Sequence, residues 1–304
     1  MTARIFIDGE AGTTGLGIRE RLAEIEGVEL LSVPAEQRKD PEAKKALMRK
    51  VDLVILCLPD AAAKETVALA ETLGVDAPKI LDASTAHRVA PGWVYGFAEL
   101  GHGQTKAIRG ARNVANPGCY ATGAIALLRP LIENGILSPN APISINAVSG
   151  YSGGGKALIT AYGAGTAPNF ELYALGLAHK HMPEIMAVSG LARRPIFVPS
   201  IGNFRQGMLV SIPLFLDHLD KSAGLGAIRD AYASFYESAG LIRLRDNSSG
   251  AAIDAESLNG TNELEIIVNA NEAHGQVVLV ANLDNLGKGA SGAAVQNLRL
   301  MLSL

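Results

Sequence analysis

The chain has 304 residues, of which 48% are hydrophobic and 19% are charged, and its formal net charge is −3. A chain of this length usually exceeds one hydrophobic core, so we predict two domains, and the low charge content argues against disorder. There is no basic block, which argues against a nucleic-acid partner. No apolar run approaches the roughly 18 residues that a membrane helix needs. We therefore exclude nucleic-acid binders and membrane-spanning proteins as function classes.

The cysteine content indicates the compartment. The two cysteines, Cys57 and Cys119, lie far apart in the sequence and give neither a disulfide framework nor a metal motif. This usage suits a reducing cytosol. A predicted strand at residues 4–8 begins the chain almost at once, which leaves no signal peptide. We therefore expect a cytoplasmic protein.

The first half alternates predicted strands and helices. Residues 4–8 form a β-branched and aromatic strand, and residues 17–25 carry apolar side chains at i, i+4 and i+7, as one helix face does. Residues 51–58 are apolar nearly throughout, as in a strand buried on both faces. Further strands are predicted at 28–33, 79–82, 94–96 and 113–115, and a further helix at 61–73. This alternation predicts an α/β fold with a Rossmann-type parallel sheet.

A glycine-rich loop joins the first strand to the first helix. Gly9, Gly12 and Gly15 give the pattern G-x-x-G-x-x-G, with Thr13 and Thr14 between them. The pattern differs from the usual G-x-G-x-x-G, but glycines still let the backbone approach a pyrophosphate, and the helix N-terminus still faces its negative charge. We predict a dinucleotide site. The alternative is an ordinary glycine-rich turn.

The end of the second predicted strand should select the ribose of the cofactor. NAD enzymes usually carry an acid there, which bonds the 2′-hydroxyl. Here Ser32 lies near the strand end and Arg38 and Lys39 follow, and a hydroxyl with a guanidinium suits a 2′-phosphate. Glu36 opposes that preference, and a solvated charged loop is the alternative. We predict NADP(H) rather than NAD(H).

The sequence N-P-G-C-Y at 116–120 lies where a predicted strand turns into a helix. A helix N-terminus stabilises a thiolate and any oxyanion formed beside it. We therefore predict that Cys119 is a nucleophile, with a small buried hydrophobe as the alternative. Cys57 lies inside the third predicted strand and is expected to be a core residue.

The second half contains more predicted strand. Strands are predicted at 142–148, 194–198, 207–213, 263–269 and 276–281, and a final helix at 289–304. A loop rich in glycine and serine occupies 149–156. This is more sheet than one small domain needs, so we expect one sheet face to pack on a second copy of the chain.

A histidine cluster follows the glycine- and serine-rich loop. The sequence H-K-H-M-P-E places His179, His181 and Glu184 within six residues. A thiol nucleophile needs a base, and histidine titrates in the right range. A metal site is the second interpretation, but no further His or Cys group accompanies these ligands. The third is a structural pair. We predict a base and no metal.

Two arginines are candidate anion ligands. Arg88 closes the segment D-A-S-T-A-H-R after the predicted strand 79–82, where α/β proteins bind ligands. Its guanidinium suits a carboxylate or a phosphate. Arg112 lies just before the strand 113–115 and is a weaker candidate. A surface position is the alternative for both.

Five motifs together resemble the short form of the N-acetyl-γ-glutamyl-phosphate reductase family. They are the glycine loop 9–15, A-N-P-G-C-Y at 115–120, S-G-Y-S-G-G-G-K at 149–156, H-K-H-M-P-E-I at 179–185 and D-N-L-G-K-G-A-S-G-A-A-V-Q-N at 284–297. They occur in order over nearly the whole chain. The last motif is shared with aspartate-semialdehyde dehydrogenases, and D-A-S-T-A-H-R differs from the D-L-S-A-D-F-R-like stretch of the longer form.

The resemblance implies an activity and a set of site residues. The activity is the NADPH-dependent reductive dephosphorylation of N-acetyl-L-glutamyl 5-phosphate to N-acetyl-L-glutamate 5-semialdehyde in arginine biosynthesis, with Cys119 as the thioester-forming nucleophile and His179 as the base. The expected substrate contacts are Arg88, Asn116, Ser149, Gly150, His181, Glu184 and Arg112. The expected cofactor contacts are Gly9, Gly12, Thr13, Thr14, Gly15, Ser32, Arg38, Ser84, Asn285 and Gly287.

The resemblance also implies an architecture. Residues 1–118 would form the dinucleotide-binding domain, completed by 286–304 as the C-terminal helix returns to it. Residues 119–285 would form an α+β domain for catalysis, substrate binding and assembly into homodimers or homotetramers. Two alternatives remain open: an aspartate-semialdehyde dehydrogenase-type enzyme acting on another acyl phosphate, and a non-catalytic NADPH-binding protein.

Overall fold

The structure, a computed structural model, describes residues 2–101, 103–219 and 224–304. Within them the chain forms two compact units. The first takes the described residues of Met1–Ala98, His102–Pro117 and Ala290–Leu304, and the second takes those of Glu99–Gly101 and Gly118–Gly289. These ranges are close to those of the predicted domains, whose separate functions stay predictions.

A parallel sheet forms the centre of the first unit. Its strands are β1 (Ala3–Asp8), β2 (Val28–Leu31), β3 (Leu53–Leu56), β4 (Lys79–Asp82), β5 (Val94–Tyr95) and β6 (Asn113–Ala115). In the described residues they are ordered β2-β1-β3-β4-β6-β5, and each neighbouring pair is parallel. This confirms the predicted Rossmann-type sheet. Strands β2 and β3 flank β1, and open α/β sheets bind ligands where the strand order reverses in this way.

Helices cover both faces of this sheet. They are α1 (Thr13–Leu22), α2 (Pro41–Met48), α3 (Asp60–Glu71), α4 (Gln104–Gly110) and the C-terminal helix Gly292–Leu302. Strand β3 shows why the run 51–58 is apolar throughout. Leu53 and Ile55 join the core cluster that contains α1 and C-terminal helix residues, whereas Val54 and Leu56 join the cluster that contains α2 and α3 residues. The prediction of a strand buried on both faces is confirmed.

Two helix boundaries differ from the prediction. Helix α1 begins at Thr13 rather than at residue 17, because the glycine loop leads directly into the helix with Gly12 as its N-cap. The final helix begins at Gly292 rather than at residue 289, because a π-helical turn, Gly287–Ser291, precedes it. The return of this helix to the first unit is confirmed.

A mixed sheet forms the centre of the second unit. Its strands are β7 (Ser144–Gly150), β8 (Phe170–Leu172), β9 (Ile196–Gly202), β10 (Met208–Phe215), β11 (Ile242–Arg245), β12 (Leu264–Asn271) and β13 (Gln276–Leu283). Among the described residues their order is β11-β12-β13-β10-β7-β9-β8. Neither β8 nor β11 was predicted. Both are short strands at the sheet edges, and in β11 arginines alternate with apolar residues.

One face of this sheet packs against the long helix that begins at Cys119. The helices of the unit are α5 (Cys119–Glu133), α6 (Gly155–Gly163), α7 (Met182–Ser189) and α8 (Leu225–Phe235). Helix α5 lies close to β10, since a Cβ on Gly123 would stand 2.7 Å from Val210 Cγ2. The buried hydroxyls of Tyr232 and Tyr236 donate to α5 carbonyls, at 2.6 Å and 3.0 Å. These contacts fix the axis of α5 and therefore the position of its first residue.

The opposite face of the sheet carries exposed apolar side chains. Ile196, Phe215 and Val278 are 56%, 49% and 39% exposed. The strand register places them on one face, because β10 pairs with β7 and β13, and β7 pairs with β9. Single exposed apolar residues are ordinary, but a face spread over several strands is typical of an interaction surface. None of the helices in the described residues has the length and apolarity to cross a membrane.

Candidate active site

Cys119 is the first residue of α5, and Gly118 is its N-cap. The Gly118 N–H donates to the Glu184 carboxylate at 3.1 Å, and Glu184 is buried. The Gly118 carbonyl accepts from the Thr122 N–H and hydroxyl, at 2.8 Å and 3.1 Å. The first N–H groups of a helix have no intrahelical acceptor and carry its positive dipole end. The turn therefore presents the thiol where a thiolate is stabilised.

An aromatic cluster surrounds the histidines. The His179 ring centroid lies 5.8 Å from that of Tyr120, 5.7 Å from that of Tyr173 and 4.7 Å from that of His181. The ring of Phe197 packs against His179 at 5.1 Å. Sequence analysis did not identify Tyr173 or Phe197. Tyr173 follows an unpredicted edge strand, and no motif marks either residue.

Hydrogen bonds fix the tautomer of His179. The His181 backbone N–H donates to His179 Nδ1 at 3.1 Å, so Nδ1 carries a lone pair and not a proton. In the neutral ring the proton is then on Nε2, which lies 3.3 Å from the Tyr173 hydroxyl oxygen. Nε2 is the atom through which His179 can exchange a proton.

The electrostatics of the two tyrosines link them to the thiol. Burial raises the pKa of Tyr173 to about 12; a hydrogen bond with Tyr120 opposes the shift, and the neighbouring Cys119 adds to it. Burial, followed by Tyr173 and Cys119, raises the pKa of Tyr120 far above its ordinary value. Both phenols therefore stay protonated at neutral pH and can only donate or accept hydrogen bonds.

Cys57 provides the contrast. Burial, followed by the charges of Asp82 and Asp8, raises the pKa of its thiol to about 12. It therefore stays protonated, as the prediction of a core cysteine requires.

The glycine- and serine-rich loop and the segment after β13 hold each other by hydrogen bonds. Asn285 accepts from the Gly207 N–H at 2.8 Å and donates to the Ser152 hydroxyl at 3.0 Å. A Cβ on Gly150 would lie 2.5 Å from the Gln206 backbone nitrogen. The Ser149 hydroxyl donates to the Gly150 carbonyl at 3.0 Å. The structure therefore places Ser149, Gly150 and Asn285 in the framework of the second unit, with the Asn285 amide engaged at both ends.

The final motif contains a further set of close contacts. A Cβ on Gly287 would lie 3.0 Å from the Asp284 side chain, and one on Gly289 would lie 2.8 Å from Cys119 Cβ. Asp284 is buried and accepts from the N–H groups of Gly260 and Leu286, at 2.9 Å and 2.8 Å. Close packing therefore requires glycine at 287, against Asp284, and at 289, against Cys119.

In the first unit, Asp82 organises the turn after β4. Its carboxylate accepts from the Ser84 N–H and hydroxyl, both at 2.8 Å, and contacts His87 Nδ1 at 2.5 Å. Arg88 Nε donates to the Asn116 carbonyl at 3.0 Å. The Asn116 amide donates to the Ala290 carbonyl at 3.0 Å, and its oxygen accepts from Asn297 at 3.0 Å. Ser84 and Asn116 thus hold buried backbone in place.

Arg112 lies at the other edge of that sheet. It precedes β6, and its guanidinium donates to the carbonyls of Gly74 and Ala77, at 2.8 Å and 3.1 Å, just before β4 begins. The amino ends of parallel strands lie opposite the edge that carries the glycine loop and Arg88. This placement supports a structural role for Arg112, and its substrate contact stays a prediction.

The glycine loop has the geometry of a phosphate cradle. Gly9 has φ +92°, and the Gly12 N–H donates to its carbonyl at 3.0 Å. A Cβ on Gly15 would lie 2.6 Å from the Gly9 oxygen. The Thr13 hydroxyl is buried and has no hydrogen-bond partner among the described residues. A cradle that a side chain would fill, beside an orphaned hydroxyl, fits a pyrophosphate.

A cavity of about 470 Å³ adjoins the loop, and Gly9, Glu10, Arg38, Lys39 and Lys44 are among the residues that line it. Glu10 accepts from the Ser32 hydroxyl at 3.0 Å, from Arg38 at 3.1 Å and from Arg19. Lys44 pairs with Asp8 at 2.6 Å. The structure thus brings Ser32 and Arg38 together, as predicted. Sequence analysis missed Glu10, although an acidic residue directly after the first loop glycine was the available signal.

His179, His181 and Glu184 are the residues of the alternative metal site. In residues 2–101, 103–219 and 224–304, no group of three or more His, Cys, Asp or Glu side chains could hold a metal ion. The absence of a metal ion from His179, His181 and Glu184 stays a prediction.

Comparisons with known proteins extend this picture. The family description "Semialdehyde dehydrogenase, dimerisation domain" matches residues 119–285. Solved structures of aspartate semialdehyde dehydrogenases show the same fold. The one from Francisella tularensis has a TM-score of 0.75 at 12% identity and covers 99% of this chain and 100% of its own. Enzyme II from Vibrio cholerae, complexed with ASA, has a TM-score of 0.73 at 15% identity, with 100% and 99% covered.

Curated relatives are far more similar in sequence. Proteins named N-acetyl-gamma-glutamyl-phosphate reductase from Brucella ovis, Brucella canis and Brucella abortus are each 50% identical over 310 residues, covering 99% of both chains. Such a family, with its Rossmann-type fold, is consistent with a nicotinamide cofactor. The chain belongs to the N-acetyl-γ-glutamyl-phosphate reductase family, within the semialdehyde dehydrogenase superfamily.

Proposed function

We propose that the protein reduces N-acetyl-L-glutamyl 5-phosphate to N-acetyl-L-glutamate 5-semialdehyde, with NADPH, through a thioester on Cys119. The names of relatives at 50% identity support the substrate. The observation that carries the proposal is Cys119 at the start of α5, with the Gly118 amide held by Glu184 and the two tyrosines sensitive to the Cys119 charge. Aspartate semialdehyde dehydrogenase activity is not favoured, since those structures resemble the chain in fold at 12–16% identity.

The chain's own residues account for the acyl transfer. The Cys119 thiolate attacks the acyl carbon, and its sulfur–carbon bond forms as the carbon–oxygen bond to phosphate breaks. The phosphate leaves with the electron pair. First-turn N–H groups of α5 stabilise the thiolate before attack and the tetrahedral oxyanion after it. When bound, the nicotinamide cofactor supplies the hydride that reduces the thioester.

His179 handles the proton. Its Nε2–H donates to the oxyanion of the reduced tetrahedral adduct, and Nε2 recovers the proton as the aldehyde carbonyl forms and sulfur leaves as a thiolate. The bond from the His181 N–H to Nδ1 keeps the ring in the tautomer that this role needs. Tyr173, whose hydroxyl lies 3.3 Å from Nε2, steadies that proton.

The remaining predicted residues divide by role. We propose that Gly9, Gly12, Thr13, Thr14 and Gly15 hold the cofactor pyrophosphate, and that Ser32 and Arg38 hold a 2′-phosphate. Arg88 and His181 remain proposed substrate ligands. For Glu184, Ser149, Gly150, Ser84, Asn116, Asn285 and Gly287 the contacts described above support positioning roles.

We also propose that the protein is a homo-oligomer. The exposed apolar face of β9, β10 and β13 and the dimerisation-domain match over 119–285 support this. Sedimentation at micromolar concentration should show dimers or tetramers. A monomer would refute the assembly.

The reaction is tested in reverse. N-acetylglutamate 5-semialdehyde, NADP⁺ and inorganic phosphate should give NADPH, and omission of phosphate should stop the reaction, since the thioester needs phosphate as the acyl acceptor. Aspartate semialdehyde in the same assay is the comparison substrate. Equal or faster turnover of aspartate semialdehyde would refute the proposed substrate.

A further inference from the structure

Glu10 occupies the donors that a 2′-phosphate would need. Its carboxylate accepts from the Ser32 hydroxyl at 3.0 Å and from the Arg38 guanidinium at 3.1 Å. Arg19 adds a third contact from α1. A hydroxyl and two guanidinium groups around a pair of anionic oxygens form the donor set that proteins use for phosphate. Here the Glu10 carboxylate, an anion of the protein itself, binds that set of donors.

The surroundings concentrate this effect on Glu10. The Glu10 side chain is only 16% exposed, whereas Arg38 and Arg19 are about half exposed, at 50% and 49%. Lys44 also lines the cavity, and its ammonium group pairs with the Asp8 carboxylate at 2.6 Å. Glu10 is thus held in place while its cationic partners reach solvent, so an incoming anion competes with Glu10 directly.

We propose that Glu10 is a specificity-determining residue that opposes the binding of NADPH but not the binding of NADH. This inference rests on the proposed use of NADPH. A 2′-phosphate can reach Ser32 and Arg38 only if the carboxylate releases them, and two anions would otherwise face each other. A 2′-hydroxyl can instead donate to the carboxylate, as it does to the acidic residue of NAD enzymes. Ser32 and Arg38 make the protein bind NADPH more tightly than NADH, and Glu10 therefore reduces that difference in affinity.

The test measures binding, without turnover. Dissociation constants for NADPH, NADH, 2′,5′-ADP and 5′-AMP are measured by calorimetry on the wild type, on Glu10→Gln and on the matched control Glu20→Gln. Glu20 is exposed on α1, away from the Glu10 contacts. Glu20→Gln makes the same change in net charge as Glu10→Gln. We expect Glu10→Gln to tighten NADPH and 2′,5′-ADP about tenfold, which is about 1.4 kcal/mol. NADH and 5′-AMP should bind equally or more weakly, and Glu20→Gln should change none of the four by more than about twofold.

Two further variants sharpen the result. Glu10→Asp keeps the charge but shortens the side chain, and its NADPH affinity should fall between those of the wild type and Glu10→Gln. In an Arg38→Ala background, Glu10→Gln should no longer improve NADPH binding much, because the contested donor is gone. Non-additivity of this kind is what residues that share one network show.

The outcomes separate the inference from the proposed function. If wild-type protein binds NADPH no more tightly than NADH, the proposed cofactor is wrong. If it prefers NADPH and Glu10→Gln leaves that preference unchanged, only the role of Glu10 is overturned. Weaker NADPH binding by Glu10→Gln, or equal gains for NADPH and NADH, also overturns it.

Discussion

Two helix N-termini of this molecule share one backbone arrangement but have different surroundings, which suit them to different roles. Helices α1 and α5 each begin after a glycine N-cap that makes no side-chain cap. The glycine loop before α1 adjoins a cavity lined by Arg38, Lys39 and Lys44 together with the Glu10 carboxylate. At the start of α5 the Gly118 amide bonds the buried Glu184 carboxylate, and Tyr120, the second residue of the helix, is buried. Cations around the first favour capture of an anion from solution. The free first-turn N–H groups of the second favour an anion formed in place, the thiolate.

The largest expected effect comes from removing that thiolate. Cys119→Ser should abolish turnover and leave NADPH binding nearly intact, because a serine hydroxyl is far less ionised at neutral pH than a perturbed thiol. Steady-state rates and calorimetric titration measure the two effects. Retention of more than about a tenth of kcat, a loss below about 1.4 kcal/mol, would show that Cys119 is not the nucleophile. Cys57→Ala is the control and should keep its activity.

Substitution of the proton carrier should have the next largest effect. His179→Asn should lower kcat by about 10²–10⁴ and remove one limb of the pH–rate profile, since positioned acid–base groups typically contribute that much. His181→Asn should act mainly on KM. His274→Asn, at an exposed turn, is the matched control. The reverse ranking of the first two variants would mean that His181 carries the proton.

A smaller effect is expected at the cofactor end. Arg38→Ala should weaken NADPH by about 1.5–3 kcal/mol and NADH very little, because a charge-assisted bond to phosphate is lost. Fluorescence titration of the two reduced cofactors measures the difference. Equal losses of affinity for NADPH and NADH would place Arg38 outside the ribose pocket. They would also show that Arg38 does not help to bind an anion near the start of α1.

The smallest effect is expected at Arg112. Because its guanidinium binds the carbonyls of Gly74 and Ala77, Arg112→Ala should leave KM for the acyl phosphate within about twofold of wild type and lower stability by about 0.5–1.5 kcal/mol per lost hydrogen bond. Urea unfolding and substrate titration distinguish these effects. A large rise in KM with unchanged stability would show that Arg112 contacts the substrate.

The sequence was informative where one residue type has one physical meaning. Glycine spacing after β1 and the apolar run of β3 indicated the parallel sheet and its cofactor loop. Side-chain partners were less predictable, because they depend on contacts distant in sequence. Glu184, a predicted substrate contact, bonds the Gly118 amide, 66 positions away, and no motif indicated that bond. Asn285, a predicted cofactor contact, joins Gly207 to Ser152, and no motif indicated those bonds either. Tyr173 follows a three-residue edge strand that has no strong pattern.

The account rests on an acyl group carried by Cys119, and trapping that group is its most direct test. Wild-type protein is mixed with N-acetylglutamyl 5-phosphate in the absence of cofactor, quenched in acid and digested for mass spectrometry, with released phosphate measured in parallel. We expect about one phosphate released per active subunit and an N-acetylglutamyl group on the Cys119 peptide, with none on the Cys57 peptide. Unmodified Cys119, with phosphate released only when NADPH is present, would contradict the thioester mechanism.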